Sequence, residues 1–226
     1  MEAYQASFFM TTHKRYFNKP PTTIKQQIAL LKSSGLQIQN ENLATHSLQF
    51  IGYYRLLGYM HSFRTHNKIY TKGTTFEDIV DHYIFDKKVR TLLFDAIEPI
   101  EIALRSAITS VMTEHYGAFW FTKKELFVTH IGTKPIDGAQ IALKAIREST
   151  IEQKNKDIFL KHYYDTYASP ELPPSWIVME TMSMGTVSRI FSLLNVKERK
   201  EVALLFSIKE RHLVSWMRSL TYTRNL

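Results

Sequence analysis

The stretch TFEDIVDHYIFDKKVRTLLFDAIEPIEIALRSAITSVMTEHYG, residues 75–117, decides the fold. Within it Leu93, Ile97, Ile100, Leu104, Ala107, Ile108 and Val111 recur at spacings of three and four, the period of a helix that buries one face. Thr75 stands where a capping residue belongs, and Glu77 and Asp78 put negative charge in the first turn, against the positive end of the helix dipole. Gly117 ends the pattern. Pro99 lacks an N–H and crowds the preceding turn, so a kink or break is expected near 95–99.

Toward the N-terminus, Thr22-Thr23 can cap a helix that carries Ile24, Ile28 and Leu31 and stops at Gly35. Residues 40–61 read as two short helices broken at Gly52, and 62–75 as a loop with room for a small hairpin. Toward the C-terminus, residues 117–136 read as a loop with a short helix, followed by helices over 137–153 and 156–167. Ser169-Pro170-Glu171-Leu172-Pro173-Pro174 is a linker. Four short helices follow, over 175–182, 185–194, 197–206 and 209–226. Asn195 precedes Glu198 by three residues and Ser207 precedes Glu210 by three, the spacing of a capping box. No run alternates with period two for long. The expectation is an all-α multi-helix bundle: a basic, aromatic helical region over 1–75 and a bundle over 76–226, with the linker near 168–174.

Length and composition fit this. The chain has 226 residues, 44% of them hydrophobic and 22% charged, ordinary values for a globular protein. A chain of this size buries enough surface to fold without a disulfide or metal staple. It contains no cysteine, which excludes disulfide frameworks, thiolate zinc sites, iron–sulfur clusters and cysteine nucleophiles. It shows no Gly-rich phosphate loop, no HExxH and no Gly-x-Ser-x-Gly elbow. The first twenty residues lack the layout of a secretory signal, and no apolar run is long enough to span a bilayer. A cytoplasmic protein with no membrane contact, no metal and no cofactor is expected.

The net charge of +8 is unevenly spread. Residues 1–75 carry a net +7, residues 76–117 a net −4, and residues 175–226 a net +4. The basic region is also aromatic: His13-Lys14-Arg15-Tyr16-Phe17-Asn18-Lys19, then Gly52-Tyr53-Tyr54-Arg55-Leu56-Leu57-Gly58-Tyr59, then Phe63-Arg64. Cations neutralise phosphates and flat rings stack on unpaired bases, a mixture suited to single-stranded RNA. Lys14, Arg15, Lys19, Tyr53, Tyr54, Arg55 and Arg64 are the candidate RNA-binding residues. The same tyrosines also suit a core with wet hydroxyls, and the charge also serves solubility.

Two further groups carry possible chemistry. Glu98, Glu101 and Arg105 lie three and four residues apart on one stripe of the long helix. Glu101 and Arg105 are either a solvated ion pair worth about 0.3–0.5 kcal/mol or a carboxylate holding a guanidinium toward a cleft. In the last helix Leu213, Met217, Leu220 and Arg224 share one face, so Arg224 continues an inward stripe and must snorkel, pair or line a site. Arg211 and Arg218 fall on the other side.

These segments resemble the abortive-infection (Abi) phage-defence proteins of the AbiD/AbiF-like group. The resemblance covers roughly residues 20–226. It rests on an ordered series: Gly52-Tyr53-Tyr54-Arg55-Leu56-Leu57-Gly58-Tyr59; Phe76-Glu77-Asp78-Ile79 through Tyr83-x-Phe85-Asp86-x-x-x-Arg90; Ile97-Glu98 to Glu101-x-x-x-Arg105; Pro174-x-Trp176 with Glu180 and Gly185; and Arg224-Asn225.

The group is placed in the HEPN superfamily of all-α bundles, many of them metal-independent ribonucleases that pair two motifs across a dimer cleft. By that resemblance Arg224 and Asn225 begin the signature Arg-Asn-x-x-x-His, with Glu101 and Arg105 lining the same cleft. The implied chemistry is RNA cleavage by the 2′-hydroxyl: the His moves the proton, the Arg stabilises phosphate charge, and the Asn orients. The implied partners are RNA, a second copy of the chain, and an unidentified antitoxin or phage trigger. The signature His would fall three residues past Leu226, and neither His115 nor His212 has the spacing to replace it. The chain as given is therefore expected to cleave little or no RNA. Two readings without catalysis stand beside this one: an RNA-binding module, and a protein whose basic surface meets an acidic partner.

Overall fold

The computed structural model describes residues 18–66 and 69–225. Among them are ten α-helices: α1 Ile24–Ser33, α2 Glu41–Phe50, α3 Tyr53–Met60, α4 Phe76–Tyr116, α5 Gly138–Gln153, α6 Ile158–Thr166, α7 Ser175–Thr181, α8 Met184–Leu193, α9 Val196–Leu204 and α10 Glu210–Arg224. Two two-residue strands, β1 His130–Ile131 and β2 Lys134–Pro135, pair antiparallel in the loop after α4. The fold is all-α, as the periodicity requires. No helix among the described residues is long and apolar enough to cross a membrane.

Two compact units divide the chain, Met1–Lys87 and Lys88–Leu226, with the division inside α4. In the first unit α1 starts at a capping box. The Thr23 side chain accepts from the Gln26 N–H, and the Gln26 side chain accepts from the Thr23 N–H. Gly52 sits at φ +93°, a left-handed conformation that lets the chain turn between α2 and α3. Leu31, Leu48, Leu56, Met60, Phe76 and Ile79 form this unit's core. His61–Phe63 make a 3-10 turn and Arg64 bridges antiparallel to Tyr70, in the stretch the sequence reads as a loop with room for a small hairpin.

In the second unit α8 is the central helix. It packs on α5 and α10 and buries Met184, Val187, Ile190, Phe191 and Leu193. Leu104, Ala107, Ile108 and Met112 of α4 enter the same core, as does Trp120 from the loop after it. That loop is pinned to the end of α8 by two backbone hydrogen bonds, from Val128 to the Leu193 carbonyl and from Asn195 to the Leu126 carbonyl. Gly138, the first residue of α5, packs so tightly that a Cβ there would stand 2.5 Å from the Val128 carbonyl oxygen.

Pro99 does not break α4, which runs on through it. The carbonyl that loses its partner belongs to Asp95, which is exposed and open to solvent. Asn195 stands at the N-cap of α9, where the sequence places the helix start, but makes no side-chain cap; its amide donates to the Glu125 carbonyl. One local expectation is corrected: Ser207 does not cap α10. It sits at φ +55°, and Ile208 donates to the Ala203 carbonyl, so Ser207 terminates α9 in the position glycine usually takes. Lys209 occupies the N-cap of α10 without a side-chain bond. Ile100 also leaves the buried stripe: it is 41% exposed and faces a groove.

Candidate functional site

Within the second unit, α10 brings its last residue to the middle of α4. Leu213 and Met217 are buried on the inward face of α10, and Arg224 follows on the same stripe. Its Nε lies 3.0 Å from Glu101 Oε1. The Glu101 residue is 6% exposed, whereas the Arg224 side chain is 45% exposed. The N–H is not aimed at that oxygen well enough for a hydrogen bond, so the pair is held by charge and Oε1 keeps an unfilled lone pair. The two terminal nitrogens of Arg224 make no hydrogen bond among the described residues.

Arg105 is used differently. Its Nη1 donates to the Met179 and Met182 carbonyl oxygens, both at 2.6 Å. Those carbonyls close α7, so a cation sits at the negative end of that helix and satisfies acceptors the helix leaves open. Burial pushes the Arg105 guanidinium below its ordinary range; Glu101 and Glu180 act in the opposite direction, and Arg224 adds to the lowering. The ion pair of Glu101 is therefore with Arg224, while Arg105 attracts Glu101 without pairing to it. Glu180 joins the cluster, and Glu98 stays exposed. Two guanidiniums and two carboxylates meet here, one carboxylate buried and one guanidinium half in water.

Asn225 caps the end of α10 and is exposed. His115 is engaged by Glu201 at 2.7 Å, and His212 is exposed in the second half-turn of α10. No group of His, Asp and Glu among the described residues is arranged to hold a metal ion.

The RNA-binding candidates all precede this unit. Lys14 and Arg15 lie outside the described residues. Lys19 and Arg55 are exposed, and Tyr54 is 82% exposed, edge-on to Tyr53 at 5.8 Å between ring centres. Tyr53 itself packs against the first unit's core. Arg64 is half-buried: its Nη2 donates to the Tyr70 hydroxyl at 2.6 Å, and its guanidinium lies 4.5 Å from the Tyr70 ring centre. Tyr54, Arg55 and Lys19 are thus presented to solvent, whereas Tyr53 and Arg64 are taken up by packing.

Sequence reasoning missed the α7 carbonyls and gave Glu180 no role. Arg105 and Met179 are 74 residues apart, and nothing local announces their contact.

A helical bundle whose long helix and last helix meet through an arginine–glutamate pair is the class these observations define. A model of the family described as Abi-like protein matches residues 46–226, and the chain belongs to that family. The matched span holds Tyr53, Tyr54, Arg55, Arg64, Glu101, Arg105, Arg224 and Asn225, and begins after Lys14, Arg15 and Lys19. Membership supports a role in abortive infection, the defence of a cell population against phage. No curated protein and no solved structure matches the chain significantly.

Proposed function

We propose that this Abi-like protein acts on RNA as a HEPN-type, metal-independent endoribonuclease of the AbiD/AbiF-like group, with Arg224 and Asn225 as the first residues of its catalytic motif. The observation that carries the reading is the Glu101–Arg224 pair. Two segments of the family pattern, far apart in sequence, meet in one charged cluster. Glu101 holds Arg224 by charge on its Nε side, leaving the two terminal nitrogens for a second anion, the fork that suits a phosphate. Arg105 is a positioning residue here: it ties α4 to the end of α7 and adds positive potential beside Arg224.

In the reaction the 2′-hydroxyl attacks the adjacent phosphorus. The bond to the 5′-oxygen of the next nucleotide breaks, giving a cyclic phosphate and a free 5′-hydroxyl. Arg224 neutralises charge growing on the phosphate oxygens and Asn225 orients the group. The proton would be relayed by the motif His, which the sequence as given does not contain, so this chain by itself is expected to cleave little or no RNA. A second copy of the chain supplies the opposing motif. Support for that partner is the apolar groove of about 530 Å³ beside the cluster, lined by Pro99, Ile100, Ala103, Trp216 and Leu220, with Trp216 57% exposed.

The test uses the chain extended so that a histidine stands three residues beyond Leu226. That protein cuts RNA and is toxic on expression, and Arg224→Ala abolishes both. A folded, extended dimer that leaves total RNA intact overturns the reading. RNA binding that needs Tyr54 and Arg55 but is indifferent to Arg224, with no cleavage, favours a non-catalytic RNA-binding module instead.

A further inference from the structure

α8 and α10 cross with a second polar cleft between them, on a different face of α10 from the inward stripe that ends at Arg224. It encloses about 230 Å³ and is lined by Ser188, Arg189 and Ser192 of α8 and by Arg218, Thr221 and Tyr222 of α10. The residues fall at helical spacing on each helix, so both helices turn polar side chains to the same space, with Gly185 and Val214 completing the lining. No carboxylate lines it. Neither Arg189 nor Arg218 makes an ion pair or a side-chain hydrogen bond among the described residues.

The hydroxyls divide into two kinds. Ser192 donates to the Arg189 carbonyl at 2.7 Å and Thr221 to the Met217 carbonyl at 2.8 Å, so both donors are committed to their own helices. Ser188 and Tyr222 keep theirs. Gly185 lets the two helices approach closely here, since a Cβ there would stand 3.3 Å from Thr221 Cγ2, a tight contact. Two cations and two free hydroxyl donors around an acid-free cleft form a site for a compact anion with several acceptor oxygens.

The geometry points to a phosphate-binding subsite made by Arg189, Arg218, Ser188 and Tyr222, which takes a backbone phosphate of RNA at a nucleotide flanking the one held by Arg224. It rests on the RNA reading above. Arg218 and Arg224 lie on one helix, about 9 Å apart along its axis at 1.5 Å per residue, so a strand lying along this end of the unit meets both.

The test is fluorescence anisotropy with a labelled single-stranded RNA of about twenty nucleotides, in salt from about 50 to 200 mM, the range over which phosphate contacts weaken steeply. Arg189→Gln and Arg218→Gln each weaken binding about three- to tenfold, and the double variant lowers the log–log salt slope by about 1.4, or 0.7 per lost contact on a single strand. Arg211→Gln, exposed on α10 outside the cleft, changes neither.

A thermal-shift arm with inorganic phosphate separates the sources of the anion. If phosphate stabilises the wild type but not the double variant while RNA affinity is the same in both, the cleft holds a free phosphate and the RNA assignment is overturned. If RNA binding is intact in the double variant but lost in Arg224→Ala, the subsite falls and the RNA reading stands. If the wild type binds no RNA, the RNA reading and this assignment fall together.

Discussion

Arg224→Ala leaves the Glu101 carboxylate, 6% exposed, without its ion-pair partner. Breaking a fully buried pair by removing one partner costs about 3–5 kcal/mol. Arg224 is itself 45% exposed, so water screens part of the attraction and the expected loss falls to about 1–2 kcal/mol. The reverse change is milder. Glu101→Gln removes the buried charge along with the pair, and Arg224 rehydrates, so the cost is about 0.5 kcal/mol. The double variant Glu101→Gln/Arg224→Ala then costs less than the two singles added together, by about 1 kcal/mol. Urea unfolding followed by tryptophan fluorescence reads this cleanly, because Trp120, Trp176 and Trp216 all belong to the second unit. At a slope of about 2 kcal/mol/M, Arg224→Ala moves the midpoint by about 0.5–1 M. Additive costs, or a Glu101→Gln at least as damaging as Arg224→Ala, would refute the buried-anion argument.

Gly138→Ala forces a Cβ against the Val128 carbonyl and is expected to destabilise the second unit by about 2–3 kcal/mol, read in the same urea titration; an unchanged midpoint contradicts the close packing. Trp216→Glu puts a charge on the rim of the apolar groove and is expected to convert a dimer to monomer by light scattering; a dimer that persists removes the groove from the interface. Stability is also expected to fall at alkaline pH. Burial raises Tyr116, Tyr163 and Tyr164 above their ordinary 10.0, with Glu198 adding to the shift at Tyr116. Below pH 10 these groups are neutral in both states and contribute nothing to the slope. Above it the unfolded chain releases its protons first, so stability is lost as pH rises through the folded values. A melting temperature flat from pH 8 to 9.5 and falling beyond 10 agrees; a steady decline from pH 8 does not.

The elements were legible because their signals are local. The apolar stripe of α4, the cap at Thr23 and the turn at Gly52 depend on residues within a few positions of one another, and apart from Ile100 in the stripe each stands where the sequence puts it. Ser207 and Asn195 show the limit. Both match a capping spacing, but Ser207 is used to end α9, and Asn195, which does stand at the start of α9, spends its amide on the Glu125 carbonyl, a partner 70 residues away.

The site divides in the same way. That Arg224 faces inward follows from the spacing Leu213, Met217, Leu220, Arg224. That it meets Glu101, and that Arg105 turns instead to the end of α7, depends on how helices pack, which no local pattern encodes. The cleft between α8 and α10 was hidden for a related reason: Arg218 reads as an ordinary solvent-facing charge until α8 brings Arg189 opposite it.

The central claim is that Arg224, paired by charge with Glu101, holds the phosphate at which RNA is cut. RNA cleavage by the protein carrying a histidine three residues beyond Leu226, compared with its Arg224→Ala variant, tests it most directly. The account predicts cleavage by the first and a loss of about 10²–10³-fold in the second, the effect of removing one preorganised charge donor. Equal cleavage by both would contradict it.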